Sequence, residues 1–207
     1  MFFVRREADR FSINGQPVSI VDLENRIASL DQYMVTEYLT SADYAAAVSP
    51  GRPSTLRLLT LWDVDQGLPF VAAATQRFSG RPDSLLDSFK VGTDCLAAEV
   101  DLETGILGPG LNIDPNGELY SRSHSPFSGA PIEGVTVPHW KETIRQTLEV
   151  AAALPQFPMV GWDILMTNEG PRWLEGNSPP GIRLWQVHTP LLKDPRSRAF
   201  FEWLGAI

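Results

Sequence analysis

Three oxygen-bearing side chains near the end of the chain have the types and spacing to hold a hard cation. Asp163, Glu175 and Asn177 lie in the stretch Gly161-Trp-Asp-Ile-Leu-Met-Thr-Asn-Glu-Gly-Pro-Arg-Trp-Leu-Glu-Gly-Asn-Ser-Pro-Pro-Gly181. Two β-prone runs flank the turn signature Asn168-Glu169-Gly170, and Pro171 can open the returning strand without giving up a ladder bond, so the stretch reads as a hairpin. A three-residue loop sets Thr167 opposite Pro171 and Asp163 opposite Glu175. Side chains alternate along a strand, so Glu175 and Asn177 share a face. Opposed carboxylates repel unless a cation lies between them. Oxygen ligands without His or Cys suit magnesium, or manganese, better than zinc. The alternative is a surface hairpin whose acidic face is simply solvated.

Such a hairpin needs a sheet beside it, and the pattern supplies one. Phe2 to Arg6 reads as a strand, and Arg10 to Val18 as a second one broken at Asn14-Gly15. Ser19, with Asp22 three residues on, marks a helix start, and Leu23, Ile27 and Leu30 give it an apolar stripe. Tyr33 to Leu39 is then read as another strand, completing a β-β-α-β unit. Thr40 to Ser54, rich in Ser, Ala and Pro, reads as a hinge or linker. Longer strands follow at Leu56 to Trp62, Leu68 to Phe78, Cys95 to Leu102, Ile106 to Ile113 and Glu118 to Arg122, which implies a mostly antiparallel sheet. Pro138 opens a helix with Trp140, Ile144, Leu148 and Ala151 or Ala152 at helical spacing, expected to cover the sheet. A short amphipathic tail helix, Arg196 to Leu204, carries Phe200, Trp203 and Leu204. The expected class is α+β, with residues 1–40 a small lobe, 41–54 the hinge and 55–207 a larger lobe.

Composition narrows the partners. The 207 residues are 43% hydrophobic, enough for a real core. Three Lys and fourteen Arg face 25 acidic residues, and the net charge of −8 argues against a general nucleic-acid or anionic-membrane binder. Small molecules or proteins are the expected partners. Cys95 is single and cannot form an internal disulfide, which fits a cytoplasmic home. No apolar run approaches the roughly 20 residues of a membrane span. His124, His139 and His188 have no base-and-nucleophile spacing and read as structural or exposed.

Several stretches together resemble a known family. Glu175-Gly-Asn-Ser-Pro-Pro-Gly181, preceded by Gly161-Trp-Asp163 and Gly170-Pro171, resembles the closing metal motif of ATP-grasp enzymes. Ser54-Thr-Leu-Arg57, Val100-Asp-Leu-Glu-Thr-Gly105, Gly129-Ala-Pro-Ile-Glu-Gly134 and Pro138-His-Trp140 are similar to the sugar-transfer-associated, or α-L-glutamate ligase-related, branch, over roughly residues 30 to 190. The resemblance implies an ATP-grasp fold with ATP and magnesium as cofactors, and adenine in a cleft between a small lid and a larger sheet. It implies that Asp163, Glu175 and Asn177 hold the metal. Backbone groups near Thr36, Glu37 and Leu39 meet the adenine edge, and Asp43 accepts the ribose hydroxyls. Arg57 stabilises the γ-phosphate and the acyl phosphate formed from it.

The chain also departs from the family pattern. The first lid strand usually carries a phosphate-binding Lys, where this chain has Arg5 and Arg6, and the two cations are not equivalent at a close contact. In Asp87-Ser-Phe-Lys-Val-Gly-Thr93, the resemblance implies that Lys90 supplies a cofactor-binding charge, but Thr93 stands where relatives have Gly. Family members carry a further α/β domain before the lid, so either the start is truncated or a partner chain supplies that domain. The expected function is an ATP- and magnesium-dependent carboxylate-amine (or thiol) ligase acting on small-molecule substrates through an acyl phosphate. The alternative is a non-catalytic nucleotide-binding or partner-binding module with the same fold.

Overall fold

The computed structural model describes residues 3–52, 54–80 and 89–207. The chain separates into two compact units, Met1–Tyr38 and Leu39–Ile207. In the first, β1 (Val4–Glu7), β2 (Arg10–Ile13) and β3 (Gln16–Val18) form an antiparallel meander. Phe2, placed in the first strand from sequence, lies outside the described residues. Asn14 and Gly15, at φ 51° and 81°, give the left-handed pair that a tight hairpin turn needs. Ser19 caps α1 (Ile20–Ala28), its Oγ accepting from the Asp22 amide at 3.1 Å. Leu23 is buried and Leu30, past the end of the helix, is half-buried, but Ile27 is 46% exposed.

The strand expected at Tyr33 to Leu39 does not form. These residues carry no regular structure, and Met34 and Val35 are 85% and 80% exposed. β-prone side chains mark a fit to a half-buried pleated surface, and here no described strand pairs with the segment.

The second unit is built on a seven-stranded, wholly antiparallel sheet of β4 (Thr55–Asp63), β5 (Leu68–Phe78), β6 (Leu96–Val100), β7 (Leu107–Ile113), β8 (Leu119–Arg122), β9 (Met159–Thr167) and β10 (Gly170–Asn177). The order is β10-β9-β4-β5-β6-β7-β8, so the last hairpin returns to pair beside β4. Alternation along β4 sorts its residues. Leu56 and Leu58 join Phe78, Trp162 and Ile164 under α2 (Asp43–Val48) and α3 (Trp140–Ala152). Leu59 and Leu61 join Phe70, Trp185, Phe200 and Phe201 under α4 (Arg183–Gln186) and α5 (Pro195–Trp203). Each such fully buried side chain stabilises by about 1.5–3 kcal/mol.

Three sequence readings of the helices are corrected. Thr40 to Ser54 is not a linker: it contains α2, whose Ala45 and Val48, with Ala42 before it, are buried in the first core. Ala42, Ala45 and Val48 recur at helical spacing, a signal hidden by linker-like composition. On α3 the buried stripe is Trp140, Thr143, Thr147 and Ala151, with Ile144 and Leu148 only partly covered. The two threonines tolerate burial because Thr143 Oγ1 donates to His139 O at 3.0 Å and Thr147 Oγ1 to Thr143 O at 2.7 Å. In α5, Phe200 and Phe201 are buried, while Trp203 and Leu204 are more than half exposed. No described helix is long and apolar enough to cross a membrane.

Candidate functional site

The β9–β10 hairpin brings Asp163 and Glu175 face to face by a route other than the expected one. Its loop holds two residues, with Gly170 pairing with Thr167 and Trp173 with Ile164, one step off the anticipated register. Leu174 is then extruded as a bulge, which restores the step and sets Glu175 opposite Asp163. Asn177 lies two residues further along, beside Glu175.

Every residue of β9 is buried, and Asp163 is only 6% exposed. A carboxylate so placed must be paired. Arg77 Nη2 donates to Asp163 Oδ1 at 3.0 Å, and Arg57 Nε, from the cross-strand position on β4, lies 3.5 Å from the same oxygen. Arg77 also donates through Nε and Nη2 to Thr55 Oγ1. Arg57 is steadied in turn by Trp185, whose ring lies 5.8 Å from its guanidinium carbon and whose Nε1 donates to the Arg57 carbonyl at 3.3 Å. Both arginines converge on Oδ1. Asp163 Oδ2 faces the other way, 3.5 Å from Asn177 Nδ2, which donates to Glu175 Oε1 at 3.1 Å. The Asn177 hydrogen bond holds the Glu175 carboxyl below the usual carboxylate range, and a hydrogen bond with Asp163 and the charges of Arg57 and Arg77 add to it.

This donor set fits a hard cation. Two carboxylates and an amide carbonyl are the ligands magnesium and manganese take. The Asn177 amide nitrogen already bridges the two carboxylates as a donor, and a rotated amide presents its oxygen instead. Among the described residues no three His, Cys, Asp or Glu side chains are grouped to hold a metal; the oxygen set here is two carboxylates and one amide.

Arg57 and Arg77 also line a depression of about 480 Å³, whose other cations among the described residues are Lys90 and Arg183. The Lys90 turn is locked by Thr93, whose Oγ1 accepts from the Lys90 amide at 3.1 Å and donates to its carbonyl at 2.7 Å. Gly92, at φ 72°, takes the left-handed position, which is why the turn closes with Thr at 93. Asp87 and Ser88 of that motif lie outside the described residues.

The family model described as sugar-transfer associated ATP-grasp matches residues 3–194. The chain belongs to this family. No curated protein matches it. ATP-grasp proteins are typically ATP-dependent ligases, and the ATP-grasp match takes in the hairpin, β4 and the Lys90 turn.

Within this ATP-grasp chain, the structure gathers Arg57, Lys90, Asp163, Glu175 and Asn177 around one region of the second unit. Asp43 is not among them. It meets Asn168 at the hairpin turn, where Asn168 Nδ2 donates to its carboxylate at 3.0 Å and Asn168 Oδ1 accepts from its amide at 3.1 Å. That turn is roughly 17 Å along the strand from Asp163. Leu39 opens the second unit, while Arg5, Thr36 and Glu37 belong to the first, where Arg5 is solvent-exposed and 3.8 Å from Glu7. Of the histidines, His124 meets Ser123 Oγ at 3.0 Å, His139 takes a left-handed backbone before α3, and burial lowers the pKa of His188. Sequence reasoning missed Arg77 and Arg183. The signal for Arg77 was a charge inside Ala72-Ala-Ala-Thr-Gln-Arg-Phe78, a run that otherwise reads as buried strand.

Proposed function

We propose that this chain binds ATP with magnesium and activates a small-molecule carboxylate as an acyl phosphate, which an amine (or thiol) then captures. The convergence of Asp163, Glu175 and Asn177 beside two buried arginines supports this reading most directly. Arg77 and Arg57 occupy Oδ1 of Asp163 and leave Oδ2 turned toward Glu175 and Asn177. Magnesium held by these three residues would neutralise phosphate charge and polarise the γ-phosphoryl group. Arg57, with 17% of its side chain exposed, keeps a guanidinium available to a phosphoryl oxygen. A substrate carboxylate oxygen attacks the γ-phosphorus and ADP leaves; the amine then attacks the acyl carbon and phosphate departs. Fixed charge and alignment carry such a reaction, with no covalent intermediate on the protein. Adenine contacts at Thr36, Glu37 and Leu39, a ribose contact at Asp43 and a phosphate contact from Arg5 complete the proposal on family resemblance.

Hydroxylamine tests it, because it captures acyl phosphates as hydroxamates. Incubation of the full chain with ATP, magnesium, hydroxylamine and a panel of carboxylic acids should yield ADP and hydroxamate together for at least one acid. ADP formation that ignores every acid, with no hydroxamate, would reject the ligase reading. The solvent-exposed, Glu7-paired setting of Arg5 favours the binding-only alternative, in which nucleotide is held without turnover.

A further inference from the structure

We propose that the depression between Lys90 and Arg183 binds an amphipathic organic acid, a carboxylate on an apolar body, and that this acid is a substrate of the ligation. The second clause rests on the function proposed above; the binding site itself does not. Lys90 and Arg183 have no carboxylate partner among the described residues, whereas Arg57 and Arg77 each lie against Asp163. Two unpaired cations facing one hollow, on a chain of net charge −8, are a local reversal of the protein's field and a place for an anion.

The rest of the lining selects among anions. Phe89, Pro180, Ile182 and Leu184 set carbon between the cations. A polyphosphate has no apolar surface to place against them, but an acid with an aromatic or branched aliphatic body does. The depression, at about 480 Å³, is the size of a small-molecule site.

Both cations also stand on fixed backbone. Thr93 clamps the Lys90 turn from both sides. Arg183 is followed by Leu184 and Trp185, which are 8% and 1% exposed, and the loop before it packs flat on β9. That packing depends on Gly161, where a Cβ would come within 2.7 Å of Pro180 Cβ and 3.2 Å of Trp185 Cη2. The two charges are therefore held apart by the fold and not merely by two mobile loops.

Calorimetry with the full chain, in the absence of nucleotide, tests the site with phenylacetate, its neutral counterpart phenylacetamide, acetate and inorganic tripolyphosphate. Phenylacetate should bind saturably, the amide at least about tenfold more weakly, the scale of one charge-assisted contact, and acetate at least about tenfold more weakly because it lacks the apolar body. A K90Q/R183Q double variant should lose about tenfold or more in phenylacetate affinity, and the R183Q single variant, which keeps Lys90, should change magnesium-ATP affinity less than about twofold. Both side chains are exposed, and an unchanged circular-dichroism melt would show that the fold is intact. Phenylacetate binding no tighter than the amide would overturn the proposal. So would displacement of phenylacetate by tripolyphosphate, or a comparable loss of magnesium-ATP affinity in R183Q, either of which would give these cations to the nucleotide phosphates. Acid binding is read without ATP, so failure of the ligase reading leaves this result standing, and the converse.

Discussion

Replacing Arg77 with Met removes the closest cation from a carboxylate that is 6% exposed and leaves its volume largely filled. Breaking a buried ion pair from one side costs about 3–5 kcal/mol, because the remaining charge is stranded. Arg57 stays 3.5 Å from the same oxygen, so the lower end, about 3 kcal/mol, applies. For a unit of this size each kcal/mol lowers Tm by roughly 2–4 °C, giving a fall of about 6–12 °C. The diagnostic is the double change: R77M with D163N should melt well above the sum of the two single losses, since neutralising Asp163 removes the stranded charge. Thermal melts of the four proteins in metal-free buffer suffice. An R77M protein melting within about 2 °C of the parent, or strictly additive losses, would refute the claim that Arg77 holds Asp163 in place.

Asn177→Leu should raise the Glu175 titration toward the ordinary carboxylate value, visible in carboxyl carbon shifts; an unmoved midpoint would deny that Asn177 is its main partner. The sign for stability follows from the lowered folded value: the contribution is present above the unfolded pKa of about 4.3, is lost as pH falls through the folded one, and is missing from the acid limb of the variant. Gly161→Ala should destabilise by about 1–3 kcal/mol by pushing the Pro180 loop and Trp185 off β9, and an unchanged denaturation midpoint would contradict that packing. Amide exchange in β1–β3 should run at least about tenfold faster than in β4, because Leu23 is the one buried hydrophobic among the described residues of the first unit; equal protection would count against a weakly cored unit.

The strands of the large sheet were legible because runs of β-prone residues end at turn signatures, as at Asp114-Pro-Asn-Gly117. The Ser19 cap was legible for the same reason: a local hydrogen bond writes itself into local sequence. The register of the β9–β10 hairpin was only half legible. A two-residue loop and a bulge at Leu174 cancel, so the opposition of Asp163 and Glu175 was anticipated from a loop that does not exist. Tyr33 to Leu39 misled because β-propensity describes side chains and says nothing of a partner edge. Arg77 and Arg183 stayed hidden because their roles depend on strands and loops far apart in sequence: Arg77 reaches Asp163 across β4, 86 positions away. Thr143 and Thr147 defeated the helical stripe because back-bonding hydroxyls behave as core residues that no hydrophobic pattern marks.

The central claim is that Asp163, Glu175 and Asn177 hold the metal of a bound nucleotide, and isothermal titration of ATP into the full chain tests it most directly. With magnesium present the account predicts saturable binding that falls at least about tenfold in EDTA and equally in a D163N/E175Q double variant, whose residual affinity is indifferent to the metal. The same ATP affinity in parent and double variant, with and without magnesium, would contradict it.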